Sequence, residues 1–501
     1  MNMKFKFLAA ITMAMGLFSC SNDEGLDNTT PGGQGILGNA ETYATIRIAM
    51  PGGADAMGRA LTKSDPENGD GFEIGTADEN RFHDITLYFF DGYDKTSTCK
   101  GVLTMEESKF NEATVENENV VYTTKEAIKV GIEGQNMKVY AVMNGSVSGA
   151  GQGITLENFL RKTVKTGEAI VGTDKFLMTS RTSTELSLSS ENNTAEKAAT
   201  LAVSVERTAA KICYKAQNAT NTYSVLNEKD QTEVASVTLK EYKLVNLRND
   251  AYYFRKVAGV DGNWQSAPNF GSGVQESGNY VIDPYFTTKT VTETESPDFF
   301  TNWFGEGKVY AANPVVYETL STKTENYVTL GYCMENTTTL DAQLNGYSTG
   351  IIFKATYTPK QVYVLNQGKT AFEVQNYDAG STFYRYGNVL YKDKEEVKNF
   401  YGLADEALIE TFIGDTQTGA TCYYKYWIRH MDNGNAEQMG PMEFAIVRNN
   451  AYKLDVKAVS GLGEPTGDID PNIPDESSKM YLNVKVTIMP WVVRNNNNII
   501  L

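Results

Sequence analysis

Gly346-Tyr347-Ser348-Thr349-Gly350 spells the GxSxG of a nucleophile elbow, where a serine sits on a sharp turn between a strand and a helix. The residues that follow, Ile351 to Tyr357, alternate in the manner of a strand, so the expectation is a hairpin turn and no nucleophile. Gly149-Ala150-Gly151-Gln152-Gly153 lacks the spacing and the following acidic residue of a dinucleotide fingerprint and is expected to be a loop. Asp468, Asp470 and Asp475 offer oxygen ligands of the kind Ca2+ takes, but their spacing fits no calcium loop, and a solvated acidic linker is expected instead. With only two histidines, His83 and His430, little remains for imidazole acid–base work or zinc. No catalytic residue, metal site or cofactor is expected, and the chain does not read as an enzyme.

Cys20 is the residue whose surroundings predict a reaction. Lys4 and Lys6 precede an apolar run from Phe7 to Phe18 that ends at Leu17-Phe18-Ser19-Cys20. The run falls short of the roughly 20 apolar residues a spanning helix needs, so residues 1–19 read as a signal peptide. A small residue before a cysteine suits lipoprotein signal peptidase, and Cys20 is expected to carry the lipid, palmitate included. Asp23 and Glu24 resemble the acidic signal that sends lipoproteins of Bacteroidota to the outer face of the cell outer membrane. The other cysteines, Cys99, Cys213, Cys333 and Cys422, form no CxxC pair. One or two disulfides stay open for an exported chain, although Cys213 lies in a strand-like run and reads better as a buried apolar residue. A net charge of −17 argues against nucleic acid as a partner.

The elements around these residues are strands. Short runs rich in Val, Ile, Thr, Tyr and Phe alternate over Tyr43–Met50, Ile85–Phe90, Met137–Met143, Leu201–Val205, Ala210–Tyr214, Ala235–Leu239, Ile351–Tyr357, Tyr452–Ala458 and Tyr481–Ile488. Asp91-Gly92, Asn144-Gly145 and Asn345-Gly346 mark turns. Helical spacing occurs at Leu156–Val164 and around Glu396–Leu408. The class is all-β, as two tandem sandwiches with a few short helices. The strand pattern lapses near residues 255–262, which places the expected domains at 60–258 and 259–501. Gly461 to Ser478 reads as a Gly-, Pro- and Asp-rich tether in front of the last strand.

Val447-Arg448-Asn449-Asn450-Ala451-Tyr452 runs into a strand, and Leu482 to Ile488 alternates before Met489-Pro490-Trp491. With Val205-Glu206-Arg207-Thr208-Ala209-Ala210-Lys211, Val139 to Asn144 and Phe353 to Lys360, these stretches occur in one order that resembles the Bacteroidales fimbrillin superfamily, in particular its minor-fimbrium shaft subunits. Little matches over 262–345. The resemblance implies transthyretin-like sandwiches, export as a lipoprotein, cleavage by a trypsin-like or Arg-specific protease in a loop after the first strand, and polymerisation by strand exchange. It implies copies of the same chain, anchor and tip subunits and the protease as partners, and a role in adhesion and biofilm formation. The cut is expected between Arg59 and Ala60, with Lys63 as second candidate, so that residues 20–59 leave as a lipidated propeptide. Alternatives are a non-polymerising surface glycan-binding lipoprotein and a fimbrial tip or accessory adhesin.

Two strands then compete for one groove. Ala44, Ile46, Ile48 and Met50 share one face of the first. Leu482, Val484, Val486 and Ile488 share one face of the last, with Trp491 closing a donor segment of about residues 480–501. Either set is worth roughly 6–12 kcal/mol when fully buried, so apolar content alone does not choose between them.

Overall fold

The computed structural model describes residues 38–51, 75–257, 281–284 and 316–490, apart from 117–118, 166–169, 173, 249, 339–341, 416, 431–433, 436–437, 441 and 478–481. Cys20, Arg59, Ala60, Lys63 and Trp491 lie outside the described residues.

Alternating apolar residues build the first half as strands. These are β1 (Tyr43–Pro51), β2 (Asp84–Phe90), β3 (Cys99–Glu106), β4 (Thr114–Glu116), β5 (Asn119–Thr123), β6 (Ile128–Lys129) and β7 (Gly134–Met143). After helix α1 (Leu156–Leu160) come β8 (Thr163–Lys165), β9 (Met178–Ser180), β10 (Thr184–Leu188) and β11 (Ala199–Arg207). The strands pair in the order β3-β2-β7-β9-β11-β1-β5-β4, with β10 beside β7 and β6 beside β1. One apolar core collects their inward residues, from Ala44 to Val205. The helix expected over Leu156–Val164 ends early. Thr155 caps it and Leu156, Phe159 and Leu160 are buried, but β-branched Thr163 and Val164 go into β8.

The second half begins two residues later. It contains β12 (Ala210–Lys215), β13 (Thr222–Leu226), β14 (Glu233–Val245), β15 (Asp250–Tyr252), β16 (Glu318–Thr319), β17 (Val328–Cys333) and β18 (Gly350–Pro359). Then follow β19 (Gln361–Leu365), β20 (Phe372–Asn376), β21 (Phe383–Tyr386), β22 (Val389–Tyr391), helix α2 (Lys394–Tyr401) and β23 (Glu410–Phe412). The last strands are β24 (Ala420–Trp427), β25 (Asn450–Val459) and β26 (Leu482–Pro490). Sheet β17-β12-β25-β26 faces sheet β13-β14-β18-β24 across one core, which makes a sandwich. Strands β18 and β24 pair directly, and β19 to β23 form an inserted five-stranded sheet between them. There α2 is capped by Asp393 and stopped by Gly402 at φ 62, a left-handed turn that suits glycine; Glu406–Leu408 is a separate 3-10 turn.

The two large cores change over between Val205 and Ala210, not at 255–262 where the strand pattern lapses. Thr208-Ala209 carries none of the usual turn residues, so the sequence gives no sign of the change. A third core joins the halves, with Tyr88, Tyr140 and Phe159 meeting Tyr253, Phe254 and Met334. None of the four described cysteines forms a disulfide, all four are buried, and burial pushes the Cys333 and Cys422 thiols upward.

The stretch from Gly461 to Ser477 is packed down, which corrects the expectation of a solvated tether. Glu464 and Tyr423 exchange both backbone hydrogen bonds at 2.8 Å, and Gly463 sits so close to the Tyr423 carbonyl that a Cβ would lie 2.3 Å from it. Further along, the Asn345 amide donates to the Ile473 carbonyl and the Asp475 amide to the Gln343 carbonyl. Leu462 and Ile469 are buried as apolar anchors. Ser348 of the GxSxG turn is fully buried and donates to the Asp475 carboxyl, which burial pushes well above its usual range. The motif thus secures this strap. Asp468 and Asp470 are exposed while Asp475 faces Ser348, and the three do not converge.

Candidate strand-exchange site

β1 occupies the middle of its sheet. It runs parallel to β11, from Ala44 opposite Ala199 to Ala49 opposite Ser204, and antiparallel to β5, from Arg47 opposite Thr123 to Pro51 opposite Asn119. Every other pair in this sheet is antiparallel. Ala44, Ile46, Ile48 and Met50 are each fully buried, whereas Thr45, Arg47 and Ala49 on the outer face are half-buried. Three strands separate β1 from β2, the next strand in sequence, so the two strands joined through 52–83 are not hairpin partners. The expected cut at Arg59 falls on that connection. Removing β1 would leave the facing edges of β11 and β5 unpaired above the core.

β26 is placed differently. Among the described residues it pairs with β25 alone, antiparallel from Asn450 opposite Pro490 to Val459 opposite Leu482, and forms an edge of its sheet. Val484 and Val486 are only half-buried against the core, and Lys485 is exposed. Leu482 and Ile488 lie in register with Val459 and Tyr452. The structure therefore separates the two strands that the sequence showed as nearly equal: one is enclosed on both edges, the other on one.

Two of the motifs behind the resemblance, Val205–Lys211 and Val447–Tyr452, meet at the junction between the halves. Arg207 is fully buried; its side chain donates to Asn80 and to the Glu79 carbonyl, and its amide to Asn449 Oδ1. Lys211 Nζ lies 2.9 Å from Glu79 Oε1, and the Tyr332 hydroxyl donates to the same carboxylate at 2.5 Å. Burial alone would raise the Glu79 carboxyl, but Lys211, Tyr332 and the Thr76 amide together hold it below its usual value. Arg448 donates to the Tyr252 and Tyr253 carbonyls and pairs with buried Glu335 at 2.8 Å. Asn449, at φ 59, takes the left-handed turn that asparagine tolerates and donates its amide to the Ala209 carbonyl. Glu79 and Asn80 went unnoticed in the sequence because neither belongs to an alternating run. Both lie near the end of the connection that contains Arg59, and they fix the segment ahead of β2 to both halves.

Tyr452 ends the Val447–Tyr452 motif. Its buried hydroxyl accepts from the Val447 amide and lies 2.9 Å from His430 Nδ1. Burial pulls the His430 pKa down to about 4 from 6.5. The unfolded chain therefore binds a proton that the folded chain refuses, and the stability present above pH 6.5 is lost as pH falls toward about 4. The loss reaches about 3 kcal/mol. A His430→Gln variant is expected to show a smaller fall in Tm than the parent over that window, read by thermal melts across pH.

Residues 416–497 match the family model described as major fimbrial subunit protein type IV, fimbrillin, C-terminal. A search of curated proteins finds no match. Among solved structures, a fimbrilin (FimA) from Porphyromonas gingivalis W83 is 15% identical, with 91% of this chain and 99% of that one covered at a TM-score of 0.42. The tip fimbrial protein Mfa3 from Porphyromonas gingivalis is 12% identical, with 90% and 99% covered at 0.38. A putative cell adhesion protein from Parabacteroides distasonis is 13% identical, with 90% and 99% covered at 0.42. The family match spans both C-terminal motifs, Val447–Tyr452 and Leu482–Trp491, and it is over this region that the chain is similar to the fimbrillins.

Proposed function

We propose that this fimbrial subunit builds a fimbrial shaft. It is exported as a lipoprotein on Cys20, cut after Arg59, and joined head to tail when the β26 segment of one copy replaces β1 of the next. The observation that carries this reading is the unequal enclosure of the two strands. β1 completes a core through four fully buried residues and lies between two strands, while β26 holds a half-buried edge. An edge strand that moves into a two-sided groove gains a second ladder of hydrogen bonds and deeper burial for Val484 and Val486, as in β-strand addition generally. A contact of this heterologous kind does not close and so grows a filament.

Anchor and tip subunits and an Arg-specific or trypsin-like protease are the further partners of this reading. The precursor resides at the outer membrane and the product in the extracellular fimbrium. Electron microscopy after mild trypsin treatment is expected to show filaments. A chain lacking residues 482–501 is expected to fold and be cut yet stay monomeric on native gels, because its groove opens while no donor is present. Ladders from the truncated chain would overturn the assignment of the donor. Mass spectrometry of the N-terminus on cells gives an independent check: Ala60 supports the shaft subunit, and acylated Cys20 a tethered binder.

A further inference from the structure

We propose that one charge pair sets the register of exchange: Lys485 of the incoming strand takes the place of Arg47 beside Glu116 of the receiving subunit. The inference rests on the strand-exchange reading and adds to it which residues align.

Arg47 projects from the outer face of β1, and its Nη2 lies 2.6 Å from Glu116 Oε2 on β4. Both side chains are part exposed, at 40% and 47%. The Thr114 hydroxyl donates to the other carboxylate oxygen at 3.3 Å. When β1 leaves, Glu116 stays at the rim of the groove and its cation goes with the departing strand.

A replacement strand must offer apolar residues at the places of Ala44, Ile46, Ile48 and Met50. Leu482, Val484, Val486 and Ile488 do so with the same two-residue step. Laid on β1 residue by residue, this alignment puts Lys485 at the place of Arg47. Reversing the strand direction gives the same result. Arg47 is the middle outward residue between Ala44 and Met50, and Lys485 is the middle one between Leu482 and Ile488.

A slip of one residue turns the apolar face to solvent and is excluded by burial. A slip of two keeps most apolar contacts but brings Asn483 or Thr487, both uncharged, opposite Glu116. The apolar residues therefore reject odd slips, and the charge pair discriminates among even ones. Electrostatic complementarity characteristically supplies register and encounter rate more than affinity. In its own subunit Lys485 is exposed and in register with Asp455, whose carboxylate accepts from the Tyr327 hydroxyl at 2.6 Å. The lysine is thus presented on the donor before exchange.

The test uses cleaved full-length subunits and follows assembly by light scattering and electron microscopy. Lys485→Glu is expected to slow assembly by roughly fivefold or more, and adding Glu116→Lys in the same chain is expected to restore it. Glu116→Gln serves as a gentler variant should the reversed charge disturb folding beside Arg47, and it should also slow assembly with the native donor. Unchanged rates for Lys485→Glu, or slow assembly without rescue by either Glu116 variant, would overturn the pairing. Failure of the unaltered cleaved subunit to assemble at all would instead overturn strand exchange itself.

Discussion

A chain with both Arg59→Ala and Lys63→Ala is expected to remain a folded lipoprotein that forms no filaments, whatever its concentration on the cell surface. While the connection through 52–83 is intact, β1 competes for its own groove at an effective concentration on the order of mM. A neighbour's strand arrives from outside and must first displace two ladders of hydrogen bonds and four buried side chains. Those side chains alone hold β1 with roughly 6–12 kcal/mol before ordering costs. Cutting the connection leaves the contacts intact but lets the strand depart once released, so the change is kinetic and then irreversible. Native gels and electron microscopy of membrane extracts supply the readout. Normal filaments from the double variant would exclude cleavage at these two residues as the trigger.

Glu79→Ala is expected to cost roughly 3–5 kcal/mol, because it leaves Lys211 buried without its carboxylate. Both side chains of this pair are almost fully buried, at 4% and 2% exposure, so solvent cannot compensate. The damage should be greater in the cleaved protein, where β1 no longer helps to hold the first half. Urea unfolding before and after trypsin measures both. Glu79→Leu with Lys211→Met removes the charges together and is expected to recover much of the loss, as replacing a buried ion pair by apolar residues often does. Equal losses for the single and double variants would show that the pair itself contributes little and that the Tyr332 and Thr76 contacts of Glu79 matter more.

Much of the architecture was legible because a strand with one buried face writes a two-residue period, as Tyr43–Met50 and Tyr481–Ile488 do. The enclosure of β1 was not legible. Its parallel pairing with β11 joins residues far apart in sequence, and no local pattern announces a neighbour. The strap was misread for a related reason. Gly461 to Ser477 has the composition of a linker, yet it is held by backbone pairs, two apolar anchors and a serine 127 residues from its aspartate. Glycine at 463 and 346 marks close approach to Tyr423 and Pro471 rather than freedom to move. Arg207, Lys211 and Arg448 were visible as residues, but their targets, Glu79 for the first two and the Tyr252–Tyr253 backbone for the third, could be seen only in three dimensions.

In a fimbrium joined by the proposed strand exchange, the strap also determines how load travels. A pull on β26 from a neighbouring subunit passes back along the chain to the contacts of Glu476 and Asp475 and the pairing of Leu344 with Pro474 before it reaches the Tyr423–Glu464 pair. These attachments lie one after another along the pulled segment and anchor it to β24 and to the segments just before β18 and just after β24, in the sheet opposite the one β26 came from. Tension is therefore shared by successive fastenings in the body of the domain, and the β25 end of the chain is shielded from peeling.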